Sequence, residues 1–320
     1  MMTVSMQPVD RVEILTLQDN YIDIVARDNS DIITRAMPLK GVEVKNSILA
    51  EHGFSAVITT VLDNSPRSML FDFGFSEHGA ALNAEALGVD MKQVEVMALS
   101  HGHPDHIGGL EKLSGMIEKP GIPLVLHPEA FRDPRYMKVT ESFKVMFPPF
   151  TREKAEAARA EVVGTAEPYP VLDGQVLFLS EIERTTEFEK GAASLWYEKD
   201  GVPAQDTFED DTGLAFVVRG KGLVVLSGCA HSGIVNTVRH AQKITGVDQV
   251  YALMGGFHLS GPDMAPVIQP TIDALKEIDP AYIIPTHCTG RDAVMRMESA
   301  FGDRFILNMS GTKLSFAADQ

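Results

Sequence analysis

The sequence predicts an α/β fold with layered sheets, and three observations carry that expectation. Short apolar runs bounded by Gly, Pro, Asp and Ser recur along the chain, the pattern of buried strands. Over residues 222–310 these runs alternate with stretches of helical spacing, whereas the first half is mostly strands with one or two helices. Histidines stand just after several of the apolar runs, where ligand sites in α/β proteins gather. The 320 residues, 44% hydrophobic and 22% charged, suffice for a sizeable core, and a single domain over 1–320 is expected.

In order along the chain, "VEILTL" (12–17) reads as a strand and 20–45 as a polar loop. Residues 46–62 show strand-like alternation around a Gly turn, and "SMLFDFG" (68–74) is a short strand ending in a turn. "GAALNAEALGV" (79–89) has helical spacing, "VEVMALS" (94–100) is a strand, "GGLEKLSGMIEK" (108–119) a helix and "IPLVLHP" (122–128) a strand. Residues 129–170 break this rhythm with Met, Phe and Pro followed by a charged helix, and are expected to form an inserted lid or wall. Strands and loops alternate over 171–220, around "QVLFLS" and "TGLAFVVRG". Then come strand 222–228, helix 233–245, strand 249–257, helix 264–278, strand 281–287, helix 291–301 and a final strand 304–310.

Bulk properties narrow the function. A net charge of −16 repels phosphate backbones, so nucleic acid is not an expected partner. The opening "MMTVSMQPVDRVEILTL" lacks the basic and long apolar regions of a leader, and no apolar run reaches the ~18 residues of a membrane span. A cytoplasmic protein without a membrane partner is therefore expected. Its two cysteines, Cys229 and Cys288, make no disulfide scaffold.

Six of the ten histidines follow short apolar strands: His101, His103 and His106 after "VEVMALS", His231 after "GLVVLSGCA", His258 after "VYALMGGF" and His287 after "AYIIPT". Neutral imidazole and carboxylate are zinc donors, and catalytic zinc sites keep a position open. In an extended segment residues two apart face one way, so His101 and His103 can grip one cation. Asp105 and His106 sit where the chain turns into a helix, and could serve a second cation about 3.5–4 Å away. The bland alternative for this stretch is a solvated histidine-rich loop, and for His231 and His287 the capping of the following helix.

"SHGHPDHIGGL" matches the H-x-H-x-D-H signature of the metallo-β-lactamase superfamily, and "LFDFG", with Asp72, resembles that superfamily's upstream D-x-G turn. "AEHGFSAVI", "NAEALGVD", "GLVVLSGCAHSGIVNTV", "GGFHL" and "THCTG" are similar to the branch that includes the methanopterin-pathway dihydropterin–ribofuranosyl-aminobenzene phosphate synthase. The resemblance runs from about Leu15 to Phe305 and is weakest across 129–170. It implies a four-layer αβ/βα sandwich with metals at one sheet edge. It also implies that His101, His103 and His231 hold one metal, and Asp105, His106 and His287 a second. The superfamily often has a bridging Asp where this chain has Cys229, which leaves thiolate ligation, a hydroxide bridge or a single-metal site open.

Asp72 is expected to orient a ligand imidazole, with turn capping as its bland reading. His258 is a candidate to ligate, to donate a proton or to hold substrate, against a packed structural role. Cys229 divides evenly between metal-proximal and inert. Cys288 is expected to be packed or outward-facing, and Asp210 and Asp211 to lie in a solvated turn. His52, His78, His127 and His240 read as ordinary. Met137, Phe143, Met146, Phe147 and Phe150 are a candidate apolar pocket, core being the commoner role of such residues.

The resemblance implies a metal-dependent hydrolase with two zinc ions, manganese or iron being alternatives. In it a metal-bound hydroxide attacks a small-molecule electrophile, Asp105 helps orient the attacking group and His258 protonates the leaving group. A transferase of the synthase type, displacing diphosphate, is the alternative. A di-iron oxidoreductase is disfavoured by the lack of a C-x-x-C pair, and a non-catalytic metal-binding module by the full ligand set. Homo-oligomerisation is left open.

Overall fold

The computed structural model describes residues 3–37, 39–44 and 47–319. Two sheets lie face to face. The first has eight strands, in the order 160–164, 122–126, 94–98, 65–71, 55–62, 11–18, 313–317 and 33–34. The second has six, in the order 169–171, 176–178, 213–218, 222–227, 250–256 and 282–286. Alternate side chains from both sheets fill the space between them, with Phe54, Phe71, Phe178, Phe216 and Phe316 fully buried there.

Helices cover the outer faces. Gly79–Leu87 and Leu110–Ile117 pack on the first sheet through Ala80, Ala84, Leu110, Leu113 and Ile117. Ile234–Thr245, Ala265–Ile278 and Arg291–Phe301 cover the second. The spacing of Ile234, Val238 and Ala241 explains the choice of face: positions four and seven apart share one side of a helix, and all three are buried. The result is the expected four-layer αβ/βα sandwich. Among the described residues no helix is long and apolar enough to cross a membrane.

The arrangement fixes where function can sit. Gly222–Ser227, Val250–Gly256 and Tyr282–Thr286 are mutually parallel, so their carboxyl ends emerge along one edge of the second sheet. In the first sheet Ser65–Phe71 and Val94–Ala98 are likewise parallel. Every histidine expected to be a ligand follows one of these carboxyl ends.

Two strand expectations differ from the structure. Residues 304–310 form no strand beyond a single bridge between Phe305 and Ile283; the last strand is Lys313–Ala317. The apolar run there is diverted because Asn308 and Ser310 bond to Asp19 instead of joining a ladder. The strand expected over 46–62 covers only Ser55–Leu62, since the preceding loop is held by Asn83 at Leu49. Residues 38, 45 and 46, on which part of the 20–45 and 46–62 readings fall, lie outside the described residues.

The expected insertion at 129–170 divides in two. Arg135–Lys138 and Lys144–Met146 pair with Leu195–Lys199 and Val202–Gln205 in a separate four-stranded antiparallel sheet. Residues 152–164 instead return to the sandwich, where Ala160–Gly164 runs parallel to Ile122–Leu126. The charged helix Arg152–Ala157 leads into that edge strand.

Candidate metal centre

The first donors follow Val94–Ala98. Two residues beyond the strand, the Ser100 backbone N–H and hydroxyl donate to the two Asp72 carboxylate oxygens, each at 2.7 Å. Asp72 is wholly buried at a left-handed turn (φ 56°) that closes the neighbouring strand. His106 Nδ1 donates to Asp72 Oδ2 at 2.6 Å, which leaves Nε2 to face inward. The Ser100 hydroxyl, already donating to Asp72, accepts from His101 Nδ1 at 3.0 Å, so His101 also presents Nε2. Asp72 therefore orients one imidazole directly and a second through Ser100.

The other sheet meets these residues at Gly228. A Cβ there would lie 2.1 Å from Ser100 Oγ and 2.9 Å from Asp72 Oδ2, so only glycine permits this approach. The chain then reverses through Ala230 (φ 49°) and delivers Cys229 and His231. His258 (φ 44°) and His287 (φ 45°) stand at similar left-handed turns after the next two strands. Side chains rarely adopt this backbone conformation, and its recurrence at one sheet edge marks an over-determined site.

Two donor groups result. His101, His231 and Cys229 present ligand atoms within 4.8 Å of one another, and so do Asp105, His106, His287 and Cys229. Nε2 of His101 and Nε2 of His231 are 3.2 Å apart, close to the about 3.3 Å that two imidazoles span around one tetrahedral zinc. His103 stacks edge-on to both rings, 4.4 and 4.8 Å between centroids, and among the described residues its buried Nε2 has no partner. His287 Nε2 lies 3.0 Å from Asp105 Oδ2, and His106 Nε2 lies 3.1 Å from Cys229 Sγ. Cys229 belongs to both groups. An orphaned imidazole nitrogen beside converging Nε2 atoms is costly without a cation and well suited to one.

The electrostatics of His101, His103 and His231 suit ligation, whereas His106 and Cys229 must each give up a proton to a cation. Burial, reinforced by neighbouring imidazoles, drives His101 and His231 well below the usual histidine pKa. Burial takes His103 to about 3. These rings stay neutral, the form that ligates. Burial opposes charge on His106, but Asp72 and Asp105 outweigh it and hold its pKa at about 9. Burial likewise raises Asp105, yet His106 and His287 overcome it and keep it ionised. Burial pushes the Cys229 thiol up.

Several supports were not legible as such. Asp210 and Asp211, read as a solvated turn, are buried. Asp210 takes a two-pronged ion pair from Arg135 (2.7 and 2.9 Å) and accepts from the Gly102 N–H at 2.9 Å, pinning the turn between His101 and His103. Asp211 accepts from the Ser232 N–H at 2.8 Å, and burial raises its pKa to about 6. Asp19 accepts the His287 N–H at 2.8 Å and Asn20 the His287 Nδ1–H at 3.3 Å.

His52, read as ordinary, places Nε2 3.4 Å from Asp105 Oδ2. Its neighbours in sequence carry no signal of this; only the fold brings it there. His127 caps a 3-10 turn by accepting the Glu129 N–H, His78 precedes the helix 79–87, and His240 accepts the Glu183 N–H. Cys288 is packed rather than outward-facing, and it lies beside Cys229 and His258.

The donors line a cavity of about 420 Å³ whose apolar wall includes Phe75, Met137, Phe147 and Leu195. The Phe147 ring is 5.3 Å from His103. Met146, Phe147 and Phe150 line an adjoining groove of about 580 Å³, whereas Phe143 is exposed. His258, 4.1 Å ring to ring from His231, lies at the cavity's edge with Nδ1 buried and unpartnered.

The fold, the signature and this site together define the class. Residues 52–241 match the family model of the metallo-beta-lactamase superfamily, and the chain belongs to that superfamily. It is 32% identical over 297 residues, 90% of this chain and 97% of the relative, to 7,8-dihydropterin-6-methyl-4-(beta-D-ribofuranosyl)-aminobenzene-5'-phosphate synthase of Methanocaldococcus jannaschii. It is 30% identical, over 78% of this chain and 88% of the relative, to the uncharacterized protein MJ0448 of the same organism. Among solved structures it resembles Tm1679, described as a metal-dependent hydrolase of the beta-lactamase superfamily, with a TM-score of 0.71 and 24% identity over 96% of this chain and all of that one. This last likeness concerns the fold.

Proposed function

We propose that the protein is a metal-dependent hydrolase of small molecules that works with two zinc ions. The observation that carries this reading is the convergence of two donor groups, sharing Cys229, on a cavity walled by apolar side chains. His101, His103 and His231 would hold one ion, Asp105, His106 and His287 the other, with Cys229 between them in the place of a bridging carboxylate. Three-ligand sets rich in imidazole, with carboxylate and thiolate, suit zinc. Bound there, the ions would supply Lewis acidity toward a substrate oxygen and acidify water to a pKa near ~7.

The chain's own residues do the rest. Asp72 takes the Nδ1–H of His106 and, through Ser100, fixes His101, so both rings meet the cavity with Nε2. Asp105 orients the attacking group from the cavity floor. Phe147 and Met137 exclude bulk water, which strengthens every charge interaction inside. His258 delivers a proton to the leaving group from Nδ1, the nitrogen left without a partner. Two unpaired buried thiols fit a reducing, cytoplasmic setting.

A second reading has its own support: the relative matched over 97% of its length is named a synthase. In that reading the same cavity positions a nucleophile other than water. Screening zinc-loaded protein on esters, lactones and phosphodiesters tests the hydrolase. Turnover that falls by at least about 100-fold in His103→Ala supports it. Full activity in that variant, or none on any hydrolytic substrate in the wild type, refutes it.

A further inference from the structure

The metal centre described above gives no role to Cys288, and Cys288 belongs to a further cluster that shares Cys229 and His258 with that centre. Cys229, His258 and Cys288 present ligand atoms within 4.8 Å of one another, a third group beside the two histidine–aspartate groups. The chain has only two cysteines, and both meet here although 59 residues separate them. They arrive from the carboxyl ends of Gly222–Ser227 and Tyr282–Thr286, the two strands that flank Val250–Gly256. Gly256, on the middle strand, makes the meeting possible: a Cβ there would lie 2.6 Å from Cys288 Sγ and 3.2 Å from Cys229 Cα.

Among the described residues, beyond Cys229 and His258, Cys288 makes a weak 3.5 Å contact to the Cys229 carbonyl. The buried His258 Nδ1 has no partner. All three residues line the cavity, so a cation has a path to them.

We propose that Cys229, His258 and Cys288 form a sulfur-rich site for a thiophilic cation, which competes for Cys229 with the two histidine–aspartate groups. Two thiolates and one imidazole are a three-ligand set with a fourth position open to the cavity. Soft sulfur donors select Cd²⁺, Cu⁺ or Zn²⁺ over Mg²⁺ or Mn²⁺. Binding releases the thiol protons to solvent. It also occupies His258 and withdraws Cys229 from the other groups, so a soft cation at this position blocks the proposed chemistry.

The test is a cadmium titration of metal-free protein, followed by the ultraviolet cadmium–thiolate charge-transfer band and by elemental analysis. The band in the wild type is expected to carry two thiolates per chain, and Cys288→Ser or Cys288→Ala to leave about half of it. His258→Ala is expected to keep both thiolates but to weaken cadmium binding by about tenfold or more. Manganese should not displace the cadmium.

A band that is full in both Cys288 variants and lost in Cys229→Ser overturns the proposal while leaving the zinc reading intact. The converse, a band halved in the Cys288 variants together with no hydrolysis of any substrate, upholds the sulfur-rich site and counts against the hydrolase instead. Cadmium binding with no thiolate band at all overturns the proposal as well.

Discussion

At the scale of single residues, the centre depends on which nitrogen each imidazole offers. Asp72 sets this for His106 by direct contact and for His101 through Ser100. Removing the carboxylate charge should loosen both rings without removing a ligand. Asp72→Asn is therefore expected to weaken zinc affinity by about 10–100-fold, measured by competition with a chromophoric chelator. An affinity equal to the wild type would reduce Asp72 to a turn-capping residue. The clustering of the histidines with Asp72 was legible because spacing after a strand restricts where side chains point. His52, Asn20 and Asp19 were not legible: each reaches the site across the fold, and nothing local distinguishes them from surface residues.

At the scale of elements, the site is a property of strand ends. Three parallel strands deliver Cys229 and His231, His258, and His287 through left-handed turns. The helix and strand readings of the second half succeeded because βα alternation imposes two clear periods. The final strand was misread, and the conformation of 129–170 was not legible, for one shared reason. An apolar run states that a segment is buried, and partners elsewhere decide in what conformation. Residues 304–310 are diverted by Asp19, and the hairpin over 135–146 by pairing with Leu195–Lys199.

The pair of Arg135 on that hairpin and Asp210 ties this sheet to the histidine turn, with both side chains buried. Burial tends to raise the Asp210 pKa, but Arg135 outweighs it and holds the carboxyl below its ordinary value. Arg135→Ala strands that charge, and should cost about 3–5 kcal/mol in denaturant unfolding. A loss under about 1 kcal/mol would show the pair to be dispensable.

At the scale of the whole molecule, both sheets contribute candidate donors, so a cation held by them would link the halves of the sandwich. Anything that binds only the folded state stabilises it. Zinc at 100 times its dissociation constant should add about 2.7 kcal/mol. Thermal unfolding with and without a chelator checks this: the melting temperature should rise with zinc and fall back when the chelator is added. An unchanged melting temperature would place any cation outside the sheet junction. The sandwich was legible from the layered α/β pattern and the signature.

The most direct test of the account is zinc content per chain after loading and desalting, in the wild type and in His231→Ala and His287→Ala. Convergence of two donor groups predicts about two zinc ions in the wild type and about one in each variant. No retained zinc in the wild type, or two ions in both variants, would contradict it.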